Sequence, residues 1–118
     1  MVFTTVGRSG TAMILAGFGA IPNWIGVGSG SGVVTVTNTG LIAHTARNGI
    51  TGSADTSTIQ KTSYAADFTS VGMSGTNLRE FGLFNLSSGG TLWVREGFAS
   101  VNFDGSNELQ IQIILEVV

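Results

Sequence analysis

The sequence contains no cysteine, a single histidine and few charged residues. Without cysteine the chain has neither a disulfide framework nor thiolate ligands for a metal ion, and one histidine excludes the usual histidine-rich zinc sites. Charged residues make up 10% of the composition, with five basic against seven acidic side chains and a net charge of −2. Nucleic-acid binding normally needs clustered lysine and arginine, so this balance argues against a nucleic-acid partner.

What the sequence does contain is apolar and small side chains. Hydrophobic residues make up 42% of the 118 positions, and there are 18 glycines, 12 serines and 14 threonines. This hydrophobicity excludes a disordered tail, and the length predicts a single β domain over residues 1–118. Because so small a domain buries a limited fraction of its surface and carries little charge, we expect an assembly to cover much of that surface.

The N-terminal segment is predicted to be an extended arm followed by a short helix. Residues 1–8 form the arm, and a buried helix over residues 9–18 takes Ser9 as its N-cap and ends at the glycines at its C-terminal end. The apolar stretch at residues 12–21 is about half the length of a bilayer span. A signal-peptide hydrophobic region is the alternative, but the residues that follow lack the small side chains of a cleavage site.

Beyond the helix the pattern indicates β-strands. Residues 24–27 form a short apolar strand, and residues 33–37 are β-branched throughout, which is typical of a second strand. Residues 41–47 fit either a strand or a helical turn. The dipeptide Asn48-Gly49 that follows predicts a tight turn.

Two long stretches alternate between apolar and polar residues. Over residues 56–71 the alternation predicts a half-buried strand, with Lys61 and Asp67 facing solvent or a partner. The opposite face of this strand points to the core through Tyr64, Ala66 and Phe68. Residues 108–118 alternate most clearly, with one apolar face made of Leu109, Ile111, Ile113, Leu115 and Val117.

A hairpin is predicted in the second half of the chain. Residues 78–85 and 91–96 are its strands, and the Ser-Ser-Gly-Gly sequence at residues 87–90 is the connection. In total the chain has six or seven short strands separated by turn signals. This pattern predicts an all-β fold, a single β-sandwich or jelly-roll-like barrel with one short N-terminal helix.

Two features have the composition of a catalytic or nucleotide-binding motif. The glycine-rich residues 26–32 follow a strand, as a phosphate-binding loop does, but Ser31 stands where the dinucleotide pattern needs its third glycine and no Lys-Ser or Lys-Thr follows. We interpret this cluster as a flexible turn. His44 is the only candidate base for a Ser-His-Asp triad, but no Gly-x-Ser-x-Gly elbow lies between a strand and a helix. A surface or interface histidine is the simpler interpretation.

The acidic residues are scattered singly along the chain. Glu80 and Glu96 lie on the two hairpin strands beside Arg79 and Arg95, which predicts cross-strand ion pairs rather than acid–base catalysis. No run of alternating carboxylates resembles a calcium loop. The sequence therefore predicts no catalytic residue, no cofactor and no metal site.

The large aromatic side chains bear on binding. Trp24 and Tyr64 lie in apolar or alternating runs and are predicted to be in the core. Trp93 is out of phase with Leu92 and Val94, which directs it to the opposite face of its strand. An exposed Trp93 favours a protein interface, and a glycan-binding platform shared with Trp24 is the alternative.

Two motifs in the hairpin carry a family resemblance. They are Glu-Phe-Gly-Leu-Phe-Asn at residues 80–85 and Gly-Gly-Thr-Leu-Trp-Val-Arg-Glu-Gly-Phe at residues 89–98. Together with the order of the other segments, they make residues 8–118 resemble a group of small structural proteins of tailed bacteriophages. That group often has a loop rich in proline and alanine after the glycines, where residues 33–37 here have strand composition. The supporting segments are residues 25–30, 41–47 and 109–118.

The resemblance implies a virion component without catalysis. Small size, few charges and apolar chain ends favour a head decoration or cement protein on the outside of the capsid shell, assembled in the bacterial host cytoplasm. Its expected partners are the major capsid protein and copies of itself, for example in a trimer, with neither nucleic acid nor a membrane. A tail, baseplate or fibre-attachment component is the alternative within the virion, and a carbohydrate-binding module is a weaker one.

Interface contacts are expected at both chain ends and on the last predicted hairpin strand. Exposed β-branched ends favour the addition of a strand from another chain, and an exposed tryptophan favours a protein contact. The expected contact residues are Met1, Val2, Phe3, Trp93, Arg95, Val117 and Val118.

Overall fold

A computed structural model describes residues 1–50, 61–69 and 75–116. Within these residues the chain forms a five-stranded antiparallel sheet in the order β1-β6-β5-β2-β3 and a two-stranded antiparallel sheet of β4 and β7. The predicted sandwich-like, all-β fold with one short N-terminal helix is therefore confirmed. In chain order the elements are β1 (Val2–Phe3), α1 (Thr5–Leu15), β2 (Trp24–Gly28), β3 (His44–Gly49), β4 (Lys61–Thr69), β5 (Asn77–Phe84), β6 (Leu92–Asn102) and β7 (Glu108–Glu116).

The hydrophobic core lies between the two sheets. The alternation predicted for β4 and β7 is confirmed over the described residues, because Lys61 and Asp67 are exposed while the apolar face of each strand packs inward. The predicted alternation at residues 56–60 and 70–71, and at Val117, lies outside the described residues. Core side chains include Ile25, Val27, Ala66, Phe68, Leu78, Leu83, Val94, Phe103, Ile111 and Ile113.

The second face of the five-stranded sheet is covered by the loop of residues 29–43, and α1 packs on β6 through Trp93. The pairing of β6 with β5 shifts by one residue at Trp93, since Val94 is opposite Leu83 but Leu92 is opposite Phe84, so strict alternation does not hold there. Trp93 and Val94 both belong to the buried core, whereas Arg95 faces the loop. Trp93 lies beneath α1, and the Arg95 guanidinium donates a hydrogen bond to the Val33 carbonyl of the loop. The fold thus has a covered layer on each side of its larger sheet.

The predicted extended arm at residues 1–8 is wrong. Val2 and Phe3 pair with Arg95 and Val94 as an edge strand, and the helix starts directly afterwards at Thr5. Thr4, rather than the predicted Ser9, is the N-cap, because its hydroxyl accepts a hydrogen bond from the Gly7 amide at 3.0 Å. A two-residue strand anchored to β6 leaves no free arm.

The predicted end of the helix is confirmed. Gly17 follows the C-cap residue Ala16 and has a φ of +91°, a left-handed conformation that glycine adopts without a steric penalty. The Phe18 amide donates to the Met13 carbonyl at 2.8 Å, which satisfies one of the last helical carbonyls.

The strand predicted at residues 33–37 is a loop. Its β-branched side chains favour a strand, but the Val33 carbonyl accepts from Arg95 and the Val36 carbonyl accepts from the Thr5 amide. The Thr35 amide donates to the Asn38 side chain, which closes a local turn. Because these backbone groups are bonded to a side chain, a helix start and a turn, no neighbouring strand pairs with them.

The local signals in the hairpins had mixed outcomes. The connection predicted at residues 87–90 is confirmed, with Gly89 and Gly90 at φ values of +62° and +77° between β5 and β6. The turn predicted at Asn48-Gly49 is wrong, because both residues pair with β2 inside β3. The Trp24 ring lies across the Gly49 position, so contact with a neighbouring strand overrides the local turn preference.

Candidate interaction surface

The predicted cross-strand ion pair exists as a buried cluster. Glu80 on β5 and Arg95 on β6 lie diagonally on one face of the sheet, and the Arg95 Nη2 to Glu80 Oε1 distance is 3.1 Å. Neither side chain is accessible to solvent. The other predicted pairing partner, Glu96, instead contacts the N-terminal amino group of Met1. Arg95, an expected interface residue, is therefore inside the fold, which corrects that expectation.

The Glu80 carboxylate holds the loop of residues 29–43 onto the sheet. Its oxygens accept hydrogen bonds from the backbone amides of Gly30, Ile42 and Ala43, each at 2.8 Å. Arg95 completes the arrangement from the other side, because its guanidinium donates to loop carbonyls and to a loop side chain. These acceptors are the Gly32 carbonyl, the Val33 carbonyl and Asn38 Oδ1.

The glycine cluster has a function in this arrangement that sequence reasoning missed. A side chain at Gly30 would overlap both the Glu80 carboxylate and the Ile42 side chain, and one at Gly28 would overlap the Ala43 carbonyl. The glycines thus let the backbone approach an anion, as in a phosphate-binding loop, but the anion is the protein's own carboxylate. A buried acidic residue on a nearby strand is the signal that could have suggested it.

Hydrogen bonding and charge determine the ionisation of Glu80. Burial by itself raises the pKa of this carboxyl, but the amide hydrogen bonds from Ala43, Ile42 and Gly30 and the bond from Arg95 outweigh it. The pKa of Glu80 is therefore lower than its ordinary value of 4.5. Glu80 stabilises the fold at pH values above its pKa in the unfolded chain, and this contribution is lost as the pH falls through the folded-state pKa.

This linkage gives an expected pH dependence. At neutral pH the Glu80→Gln variant is expected to be less stable than the wild type, and the difference in their free energies of unfolding is expected to narrow as the pH falls below about 5, toward and through the lowered pKa of Glu80. Urea unfolding across this range measures the difference. The Glu96→Gln control is expected to narrow less, because water screens its half-exposed pair with the N-terminus. A difference for Glu80→Gln that stays constant with pH would contradict the lowered pKa.

His44 does not lie in a catalytic arrangement in the described ranges. The imidazole is exposed at the start of β3, its Nε2 atom accepts from Arg47 Nε at 3.4 Å, and its ring packs edge-on against Phe84. Partial burial, and secondarily the positive charge of Arg47, lower the pKa of His44 against an opposing effect of Glu80. Within residues 1–50, 61–69 and 75–116, no serine hydroxyl or carboxylate hydrogen-bonds to this imidazole.

Arg47 braces the hairpin connection next to His44. Its guanidinium lies 3.6 Å from the centre of the Phe84 ring and donates to the carbonyls of Leu86 and Gly89 at 2.9 and 2.8 Å. This contact joins a cation–π interaction to two backbone hydrogen bonds. The cluster thus has a structural role at the junction of β3 with the β5–β6 connection.

The prediction that Trp93 is exposed is wrong. Trp93 is only 3% exposed and belongs to the core cluster together with Val94, because α1 covers it and the strand register shifts at this residue. Gly7 and Gly10 lie directly over it, and the indole Nε1 donates to the Thr11 hydroxyl at 2.9 Å. In this conformation Trp93 contacts neither a partner protein nor a sugar, and no stacking platform forms with Trp24, which is itself half-buried rather than in the core.

The expected contact residues at the chain ends are partly withdrawn from the surface. Met1 is exposed, whereas Val2 and Phe3 are half-buried in β1. Val117 and Val118 lie outside the described residues. The N-terminal end therefore offers less apolar surface than the sequence suggested.

The largest exposed apolar side chains close together in sequence lie at the end of the helix. We call this set the helix-end patch; the four side chains are between 53% and 85% exposed. Ile14 turns toward the core with Gly7 and Gly10, which leaves the helix residues beside it directed outward. The prediction that this helix is buried is wrong for the same reason. The members of the helix-end patch are Met13, Leu15, Phe18 and Ile21.

The described part of the chain shows neither a metal site nor a membrane span. Among residues 1–50, 61–69 and 75–116, no three histidine, cysteine or acidic side chains are grouped to hold a metal ion. Over the same ranges, no helix has both the length and the apolarity needed to cross a membrane.

Comparison of the chain with protein-family models, with curated protein sequences and with solved structures finds no match.

Proposed function

We propose that this chain is a non-enzymatic structural protein of a bacteriophage virion that binds the outside of the capsid shell as a head decoration or cement protein. The proposal joins the motif resemblance of residues 80–98 to one structural observation, the helix-end patch. Four large apolar side chains exposed within residues 13–21, on a chain with 10% charged residues, favour a protein–protein contact.

The helix-end patch supplies the contact energy in this proposal. Each apolar side chain that a partner fully covers contributes about 1.5–3 kcal/mol. The helix is fixed to β6 through Trp93. A partner that binds Leu15, and Phe18 just after the helix, is therefore linked to the larger sheet through this helix. Repeated around the shell, such contacts between neighbouring coat subunits raise the barrier to capsid rupture under the internal pressure of packaged DNA.

Copy number in the virion tests the proposal. Quantitative mass spectrometry of purified virions is expected to find about one copy per major capsid subunit, or a simple fraction of it such as about one third. A total of only about three to twelve copies per particle would overturn the head placement and favour a tail, baseplate or fibre-attachment position. Absence from the particle would overturn the virion proposal.

Variants of the helix-end patch test the contact itself. The double variant Leu15→Ser/Phe18→Ser is expected to reduce copy number on virions at least about tenfold, because the loss of two buried side chains exceeds 1.4 kcal/mol. Val33→Ser is the matched control, since Val33 is 81% exposed but lies in the loop. Equal occupancy by both variants would show that the capsid contact does not use the helix-end patch.

A further inference from the structure

The outer edge of β7 has unused hydrogen-bonding capacity. β7 pairs with β4 through nine consecutive residues and has no second neighbour in the two-stranded sheet. Over the ranges that the structure describes, no other backbone group is hydrogen-bonded to this edge. The backbone donors and acceptors of alternate residues along this nine-residue strand therefore face away from β4, and such a row matches an extended peptide.

The contacts of β4 indicate which groups of β7 face outward. In an antiparallel pair, the backbone groups of alternate residues point toward the partner strand and away from it. The Asn48 side chain on β3 donates to the Asp67 carbonyl at 2.8 Å, which places that carbonyl on the edge of β4 that faces β3. Because Asp67 is opposite Gln110, the amides and carbonyls that face outward from β7 are those of Gln110, Gln112, Ile114 and the two flanking glutamates.

The edge lacks the devices that usually block strand addition. Proline, lysine, an inward-pointing charge or a β-bulge commonly protects an exposed edge strand. β7 has none of these: its nine pairs with β4 are regular, and the residues between its terminal glutamates are uncharged. The outer edge of β4 is partly blocked, because the Asp67 carbonyl already accepts a hydrogen bond from the Asn48 side chain. Among the residues that the structure describes, the two edges of the small sheet are therefore unequal, and the outer edge of β7 is the one without a hydrogen-bonding partner.

Charge determines what fits this edge. A second copy of β7 placed antiparallel about Gln112 would put Glu108 opposite Glu116 of that copy, and like charges directly opposite are destabilising. Lys61 already stands opposite Glu116, whereas Thr69 stands opposite Glu108. Of the two terminal glutamates of β7, Glu108 is thus the one with no basic residue opposite it on β4.

We propose that the outer edge of β7 accepts an extended segment of a different protein chain, which adds as a third strand and places a lysine or arginine opposite Glu108. Backbone hydrogen bonds to Gln110, Gln112 and Ile114 supply the contact, and the basic residue sets the register. This inference depends on the edge geometry alone and stands or falls independently of the virion proposal.

A synthetic peptide tests the proposal with the full chain. The probe is a nine-residue peptide of alternating valine and threonine with a lysine at each end, so that either strand direction places a lysine opposite Glu108. NMR titration is expected to shift the amide signals of Gln110, Gln112 and Ile114. A control peptide with a glutamate at each end is expected to bind about two- to fivefold more weakly, the range for one cross-strand charge pair.

Variants and a modified peptide separate strand addition from other binding. Glu108→Lys is expected to reverse the preference between the two peptides. A probe N-methylated at alternate residues is expected to lose binding, because it has no donors for the edge. Gln112→Pro removes an outward-facing backbone amide and is expected to abolish binding. Gln112→Thr is its control, because both variants lose the side-chain hydrogen bond to Ser63 but threonine keeps the backbone amide. Gln112→Thr is therefore expected to bind as the wild type does.

Several results would overturn the proposal. These are no amide shift at millimolar peptide, shifts that map away from β7, or equal binding of the N-methylated probe. If Gln112→Pro does not fold, the N-methylated probe and the Glu108→Lys reversal still decide the matter, since both leave the β4–β7 pairing intact. The copy number in virions is a separate measurement, so failure here leaves the head-decoration proposal unaffected and the converse also holds.

Discussion

Arg95→Met is expected to lower the free energy of unfolding by about 3–5 kcal/mol, because it removes the charge partner of a carboxylate that has no contact with water. The loss also frees the carbonyls of Gly32 and Val33 and the Asn38 side chain, which all accept from the guanidinium. Urea unfolding followed by tryptophan fluorescence measures the change. We expect the loop of residues 29–43 to lose amide protection in hydrogen exchange before the rest of the fold does.

Arg79→Met is the matched control for this substitution. Arg79 is next to Glu80 in sequence but is exposed, so its replacement is expected to change the free energy of unfolding by less than about 0.5 kcal/mol. Equal effects of the two substitutions would contradict the assignment of Arg95 as the buried partner.

A double variant distinguishes the ion pair from the loop amides. Replacing a buried ion pair by apolar residues is often neutral or stabilising. In Glu80→Met/Arg95→Met, however, the amides of Gly30, Ile42 and Ala43 lose their acceptor, and each unsatisfied amide costs about 1–3 kcal/mol. The double variant is therefore expected to stay less stable than the wild type. Wild-type stability would show that the loop does not depend on the carboxylate.

Trp93→Ala is the second substitution with a large expected effect. Truncation of a buried tryptophan costs about 3–5 kcal/mol, because the transfer free energy of the ring is lost and a cavity remains. Here the ring is also the surface on which α1 rests, through Gly7 and Gly10. We therefore expect the amides of α1 to exchange with solvent much faster in this variant, as measured by hydrogen exchange, in addition to a lower urea midpoint.

Two controls separate the packing of Trp93 from its hydrogen bond and from general loss of a tryptophan. Thr11→Val removes the acceptor of the indole N–H and is expected to cost about 1 kcal/mol. Trp24→Ala makes the same truncation at a half-buried position on β2 and is expected to leave α1 protected from exchange. Rapid exchange of α1 in Trp24→Ala but not in Trp93→Ala would contradict the packing described for the helix.

The dependence of α1 on Trp93 also bears on the proposed function. The helix-end patch is presented by a helix whose contact face consists of two glycines and Ile14, which permits a close approach to β6 but contributes little side-chain area. If the proposed capsid contact uses this patch, loss of Trp93 is expected to weaken it, because the helix loses its support. The Leu15→Ser/Phe18→Ser variant tests the same contact without disturbing the fold.

Much of the fold was predictable from local pattern. Alternation in β4 and β7 identified the buried face, because a strand with one face in the core repeats every two residues. The cross-strand partner of Glu80 was predictable from the hairpin register, since opposite charges on one face of adjacent strands attract. The glycines after the helix and in the hairpin connection marked turns that need a left-handed backbone.

The errors share a different cause. Residues 33–37 have strand composition but form a loop, because Arg95 and the start of α1 occupy their carbonyls. Asn48 and Gly49 have turn composition but lie in β3, because β2 pairs with them. In each case a contact with a residue distant in sequence outweighs a local preference of at most about 1 kcal/mol. The residues within a few positions along the sequence give no indication of that distant contact.

The amino-acid sequence by itself determined the fold class, the two alternating strands and the ion pair of the hairpin, since these follow from periodicity and from neighbouring strands. Only the tertiary structure decided which apolar side chains are covered. Trp93 is buried because α1 folds back over it, and the helix-end patch is exposed because that helix rests on its glycine face. Within residues 1–50, 61–69 and 75–116, no further strand pairs with the outer edge of β7. Coverage depends on how distant segments pack, whereas hydrophobic periodicity reports only which side of an element faces inward.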